Sequence, residues 1–271
     1  MLNKLRINSV QRSLLKQLVV TDFKLRYQGS ILGYFWSLFK PLMMFGVLYV
    51  VFTYIIPTGK GVPHFPAYLL LGIVVWTFFT EATTMGLGAI VGRGDLIKKV
   101  SVSKISIVFA SVLSAGINFL LNMVIVIIFM IASGVDITWI MVPLVPLLLV
   151  EVILLALGTA LILSALYVKF RDFAPIWEII LQVMFYATPI IYPLTLIAAA
   201  HHKITEVISL NPMAQIMQDL RRILVTPSTL TTHDVLPVLF SYAQPIGLTI
   251  IVLVVGLLYF NKRSKYFVEE L

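Results

Sequence analysis

Three charged side chains sit where charge is expensive. Lys40, Glu81 and Glu151 each interrupt a long apolar run. At bilayer depth such groups usually face a protein interior or a water-filled path. Lys40 lies about five residues into its run from the basic side. Glu81 lies about fifteen residues into the next run from the opposite side, which leaves roughly 8 Å to the basic boundary at ~1.5 Å per residue. The two therefore share a depth, and an ion pair between them is one expectation; the other is that Lys40 reaches out to the headgroups. Glu151 falls near mid-membrane with no evident partner. Glu81 and Glu151 would be the proton carriers if transport were ion-coupled.

The chain lacks the other common chemistries. It has no Gly-x-x-x-x-Gly-Lys-Ser/Thr phosphate loop, so it is not expected to hydrolyse ATP by itself. His64, His201, His202 and His233 all fall in outer loops, and adjacent histidines make a poor metal pair. No Ser or Thr has a His and a carboxylate close by in sequence. The expectation is a non-enzyme with no catalytic residue, metal or cofactor of its own.

The elements that would hold these residues follow from composition. Of 271 residues, 60% are hydrophobic and 12% charged, against roughly a quarter charged in a soluble domain. There is no cysteine, which excludes a disulfide-stapled secreted domain. Six apolar spans can be read, at about 35–56, 66–89, 105–132, 140–168, 173–196 and 242–260. Each is long enough to cross a ~30 Å hydrocarbon core as a helix. The expected fold is an all-α membrane protein of one six-helix domain, 34–271, preceded by an arm over 1–33.

Fifteen Lys and Arg fall on one side of this layout and four on the other. By the positive-inside rule both termini are cytoplasmic. The high pI of about 9.6 is then a topology signal and does not call for nucleic acid. In the arm, Leu14, Leu15, Leu18, Val19 and Leu25 alternate with Arg12, Lys16, Lys24 and Arg26, the pattern of an amphipathic helix in the membrane interface. From Pro193 to Gln244, short apolar stretches between prolines read as short helices on, or re-entering, the outer half of the membrane.

Tyr34, Trp36, Trp76, Phe79, Trp177 and Tyr186 mark dense aromatic clusters along spans one, two and five. They fit an interfacial belt or a conduit on which sugar rings stack. Gly29-x-x-x-Gly33 and Gly88-x-x-x-Gly92 have the spacing of close helix contacts.

The run Asp22-x-x-x-Arg26-Tyr27-x-x-Ser30-x-Leu32-Gly33-x-x-Trp36, followed by Pro41-Leu42, resembles the entry segment of ABC-2-type permeases that export lipid-linked polysaccharides. That group contains O-antigen, capsule and teichoic acid exporters. Further similar segments follow in order: Asp95-Leu96-Ile97-Lys98-Lys99, Arg171-Asp172, Pro189-Ile190-Ile191-Tyr192-Pro193, Asn211-Pro212 with Arg221-Arg222, and Phe267-x-Glu269. Where family members often carry an aromatic-Pro pair after the lysines, this chain reads Val100-Ser101-Val102-Ser103.

The resemblance implies a half-transporter in a bacterial cytoplasmic membrane. Two copies of the chain would pair with two copies of a separate ATPase subunit, which would hold ATP and Mg. Short helices around Gly94 to Val100 and Lys169 to Phe173 would meet that subunit, with Asp95, Lys98, Lys99, Arg171 and Asp172 as contact residues. Lys24 and Arg26 would hold the phosphates of a polyprenyl-diphosphate-linked glycan. The competing functions are an ABC-2 exporter of a small lipid or drug, and a proton-coupled secondary transporter.

Overall fold

The computed structural model describes residues 16–21, 33, 35–56, 59, 61–99 and 103–271. These are almost entirely helical, with no strand among them. Residues 16–21 form a short helix, α1. The remaining helices are α2 Phe35–Val50, α3 Phe65–Gly88, α4 Gly94–Lys99, α5 Lys104–Ser133 and α6 Val145–Lys169. They continue with α7 Phe173–Ala187, α8 Leu194–Ala200, α9 His202–Ser209, α10 Pro212–Leu224, α11 Val238–Arg263 and α12 Phe267–Glu270.

Five helical segments are long and apolar enough to cross a membrane: Phe35–Ile55, Phe65–Gly88, Lys104–Ser133, Trp139–Lys169 and Phe240–Arg263. They match the expected spans one to four and six. The fifth expected span, 173–196, differs. Its helix, α7, stops after 15 residues at Ala187, about 22 Å at the helical rise. Pro189 and Pro193 break the backbone ladder there, while the apolar residues between them keep the hydropathy high.

α3 lies at the centre. Nearly every residue from Ala67 to Phe79 is buried, as expected for a helix apolar on all sides. It packs against α2, α5, α6, α7 and α10, and α6 packs along α11. Small residues allow the closest approaches. A Cβ on Gly158 of α6 would lie 2.8 Å from the Leu253 backbone of α11, and one on Gly256 would lie 2.5 Å from the Gly158 carbonyl oxygen. Gly88 and Gly92 meet nothing within 4 Å in this chain.

α4, α12, the start of α5 and the ends of α6 and α11 gather at one end of the bundle. This basic end carries Arg93, Lys98, Lys99, Lys104, Lys169 and Arg263. At the far end lie α8, α9 and α10.

Candidate functional site

At the basic end, α4 presents Asp95, Lys98 and Lys99 to solvent and turns Ile97 into the core. The expected short helix around Gly94 to Val100 is therefore present over Gly94–Lys99. The one expected over Lys169 to Phe173 is replaced by a tight turn. α6 runs on to Lys169 and α7 begins at Phe173, which leaves no room for a separate helix. Arg171 and Asp172 are exposed in that turn, with the Arg171 guanidinium 5.2 Å from the Tyr167 ring.

Within the spans, the expected Lys40–Glu81 ion pair does not form among the described residues. Neighbouring helix positions point about 100° apart, so burial of Pro41 turns Lys40 outward, where it is exposed. Glu81 instead faces α5, where Asn118 Nδ2 donates to its carboxylate at 3.0 and 3.3 Å.

One turn along α5, Asn122 Nδ2 donates to the Ser37 carbonyl at 3.2 Å and to the Asn118 carbonyl at 2.9 Å. Pro41 has no N–H, so the Ser37 carbonyl four residues earlier loses its helical donor. Asn122 supplies the replacement.

Glu151 lies against Thr249 of α11, with Asp219 of α10 nearby. Its Oε1 is buried without a hydrogen-bond partner among the described residues.

The aromatic set divides. Trp76, Phe79 and Trp177 are buried in the seam between α3 and α7. There they form a chain with Phe185, at centroid separations of 5.9 to 6.5 Å. Trp177 Nε1 donates to Thr83 Oγ1 at 3.1 Å. Trp36 and Tyr186 are exposed. Lys24, Arg26 and Tyr34 lie outside the described residues, as does most of the amphipathic arm.

The far end holds a residue bonded from several elements at once. Arg221 is fully buried in α10. Its Nε donates to the Tyr68 carbonyl at 3.0 Å, and Nη1 to the Pro189 carbonyl at 2.5 Å and Gln218 Oε1 at 3.0 Å. Nη2 donates to the Ile190 carbonyl at 2.7 Å, and the guanidinium stacks 3.6 Å from the Tyr68 ring centroid. Gly72 gives this guanidinium its room, because a Cβ there would collide with Nη2.

At the start of α10, Asn211 accepts from the Met213 N–H at 3.0 Å and donates to Thr188 Oγ1 at 3.0 Å, with Pro212 in the first turn. This is N-capping chemistry. At its end, the loop residues Asp136 and Thr138 donate their N–H groups to the Val225 and Ile223 carbonyls at 3.0 and 2.8 Å. The helix is buried against the bundle with polar groups at both its backbone ends bonded by protein, as apolar surroundings require.

A third cluster has no signature in sequence spacing. His233 Nε2 lies 3.3 Å from Asp219 Oδ2, and its Nδ1 lies 2.9 Å from Ser241 Oγ. The connectivity is that of a hydrolase triad, but Ser241 is fully buried and offers its hydroxyl to no substrate. Here it ties α10, the turn before α11 and α11 itself together, and Tyr242 stacks on the imidazole at 3.9 Å.

Five long apolar segments among the described residues, one of them buried at the centre, in a bundle basic at one end and closed by the buried helix α10 at the other, define a multi-pass helical membrane protein. Residues 13–225 match the ABC-2 type transporter family, and the chain belongs to it. It is 28% identical over 252 residues to an O-antigen export system permease protein RfbA of Klebsiella pneumoniae, covering 92% of each chain. A second RfbA from that organism is 26% identical over the same length. RfbA of Myxococcus xanthus is 32% identical over 206 residues, 76% of this chain and 78% of that one. Proteins of this family are membrane components of transporters, distinct from the ATPase.

Proposed function

We propose that this chain is the permease subunit of an ABC exporter that carries an O-antigen-type glycan, linked to polyprenyl diphosphate, across a bacterial cytoplasmic membrane. Two copies form the path, and two copies of a separate ATPase subunit dock on the basic end, which faces the cytoplasm with both termini. The observation that carries this reading is similarity over 92% of the chain to a permease named for O-antigen export. The exposed charges of α4 and of the Arg171–Asp172 turn, at the same end of the bundle, fit the docking role. ATP and Mg belong to the partner.

In this reading the diphosphate meets Lys24 and Arg26 at the entrance, through charge-assisted hydrogen bonds. The lipid tail stays in the bilayer while the glycan passes between the two copies. Trp36 and Tyr186, exposed on α2 and α7, are the candidate sugar-stacking aromatics. The buried Trp76, Phe79 and Trp177 shape the wall behind them.

The test is affinity purification from native membranes in mild detergent. Recovery of an ATPase near 1:1, with two copies of each chain, supports the proposal. Recovery of the chain alone in several detergents overturns it. Arg171→Ala or Asp172→Ala should lower export-linked ATP turnover while membrane insertion is retained; unchanged turnover in both removes the docking assignment.

A further inference from the structure

α12 follows α11 after a short turn and folds back beneath the basic end. Phe267 is fully buried, edge-on to Phe260 with ring centroids 5.3 Å apart. Lys104, the first residue of α5, donates to the Ser264 carbonyl and holds its ammonium 5.6 Å from the Phe267 ring centroid. Arg263 Nη2 donates to Glu270 Oε1 at 2.7 Å. Leu271 packs at Gly94, where a Cβ would meet its side chain at 3.7 Å. The segment therefore touches both α4 and α6.

α4 needs such support. It has six residues, too few to hold a helix in water by their own hydrogen bonds. Its one buried residue is Ile97, with Leu96 half-buried beside it, so side chains of α4 itself offer little resistance to a rotation about Ile97. Asp95, Lys98 and Lys99 point outward, where a docking protein would load them.

We propose that α12 is a strut that fixes the orientation of α4. Phe267, Arg263 and Glu270 are its positioning residues, and the strut transmits load from the ATPase into α5 and α6. This rests on the reading that a separate ATPase docks on α4. With the strut in place a push on α4 moves the bundle; without it the push turns α4 on Ile97 and is lost.

The absence of cysteine makes a direct test simple. Spin labels at Leu96→Cys and Val268→Cys, in the purified full-length chain, report the α4–α12 distance by pulsed electron resonance. A narrow distribution in the parent that broadens with Phe267→Ala supports the strut, and an equally narrow one overturns it. In the assembled complex, Phe267→Ala and Arg263→Glu should each lower glycan exported per ATP hydrolysed by about fivefold or more, the low end of site-to-site coupling. ATPase co-purification should be retained.

The double variant Arg263→Glu/Glu270→Arg should restore export, which a merely unfolded end would not do. Unchanged export in Phe267→Ala overturns the proposal. Failure of the parent chain to bring down any ATPase overturns the functional reading instead, and the spin-label distances still decide the strut.

Discussion

Arg221 and Arg222 are adjacent in sequence, yet the structure assigns them very different weights. Arg221 makes four hydrogen bonds, to three carbonyls and one amide oxygen, without any solvent exposure. Bonds to a charged group contribute about 1.5–3 kcal/mol each when taken singly, but their sum overshoots, since removing the side chain also removes a buried charge. The nearer guide is the penalty for buried acceptors left without a donor, about 1–3 kcal/mol, to which truncation to Ala adds the cost of the space it empties, for a total of about 3–5 kcal/mol. Arg221→Ala should cost that much, because the Pro189 and Ile190 carbonyls lose their donor. Arg221→Met fills the space but leaves those oxygens unmet, and should cost about 1–3 kcal/mol. Arg222 pairs with Asp234 at 2.9 Å where both are about a third exposed, so Arg222→Ala should cost under about 1 kcal/mol. Unfolding of the purified chain by titration with SDS, followed by circular dichroism, measures all three. Arg221→Ala must be the most damaging, Arg221→Met intermediate and Arg222→Ala the mildest. An Arg221→Ala variant within about 1 kcal/mol of the parent, or no worse than Arg222→Ala, refutes the reasoning.

Three further outcomes follow from other contacts. Gly158→Ala should cost about 1–3 kcal/mol by pushing α6 off α11, whereas Gly116→Ala, which meets nothing within 4 Å, should be neutral or stabilising by up to about 1 kcal/mol; the same SDS titration reads both, and equal effects would contradict the packing. Asp234 should make the turn before α11 acid-sensitive: burial alone would raise its pKa, but the Thr231 N–H and hydroxyl and Arg222 outweigh it and hold it below the ordinary carboxylate value. Its contribution is therefore complete above the unfolded pKa and lost as pH falls through the folded one. Protection of the amides of 231–235, taken relative to their intrinsic exchange at each pH, should fall over that acid range in the parent, while in Asp234→Asn it should not change with pH. Asn122→Leu should loosen the middle of α2 by uncovering the Ser37 carbonyl, seen as faster exchange around Pro41 with α5 unchanged; unaltered exchange at α2 would show that the bond is incidental.

The long spans were readable because length and apolarity suffice to specify them. The same criterion overextends α7: Ile190, Ile191, Leu194 and Leu196 continue its hydropathy past Ala187, where the helix stops ahead of Pro189, and the prolines are the better guide. Charge singles out Lys40 and Glu81 in the sequence, but in the fold Glu81 is met by an uncharged amide, that of Asn118. Asn118 and Asn122, one turn apart in an otherwise apolar span, were the available signal. Nothing in sequence separates Arg221 from Arg222, since burial comes from helices recruited 31 to 153 residues away. The Asp219–His233–Ser241 cluster is likewise a product of folding. The short helix α4 lay where expected, while the second basic-end element proved to be a turn because its flanking helices consumed the residues.

The unequal fastening of α7 has a mechanical consequence. Just beyond its far end, Thr188, Pro189 and Ile190 are held by Asn211 and Arg221 from both halves of α10. Near its basic end, α7 is held by the Trp177 indole bond to Thr83, by ring contacts of Trp177 with Phe79 and of Phe173 with Phe170, and by packing on α6. A rod of about 22 Å bound by several hydrogen bonds at one end and mainly by packing at the other yields first at the packed end. A displacement of about 3 Å at the Arg171–Asp172 turn would rotate it by about 8°, taking the rod length from the helical rise. The Trp177–Thr83 bond, the one directional side-chain contact described near that end, would have to lengthen in such a rotation.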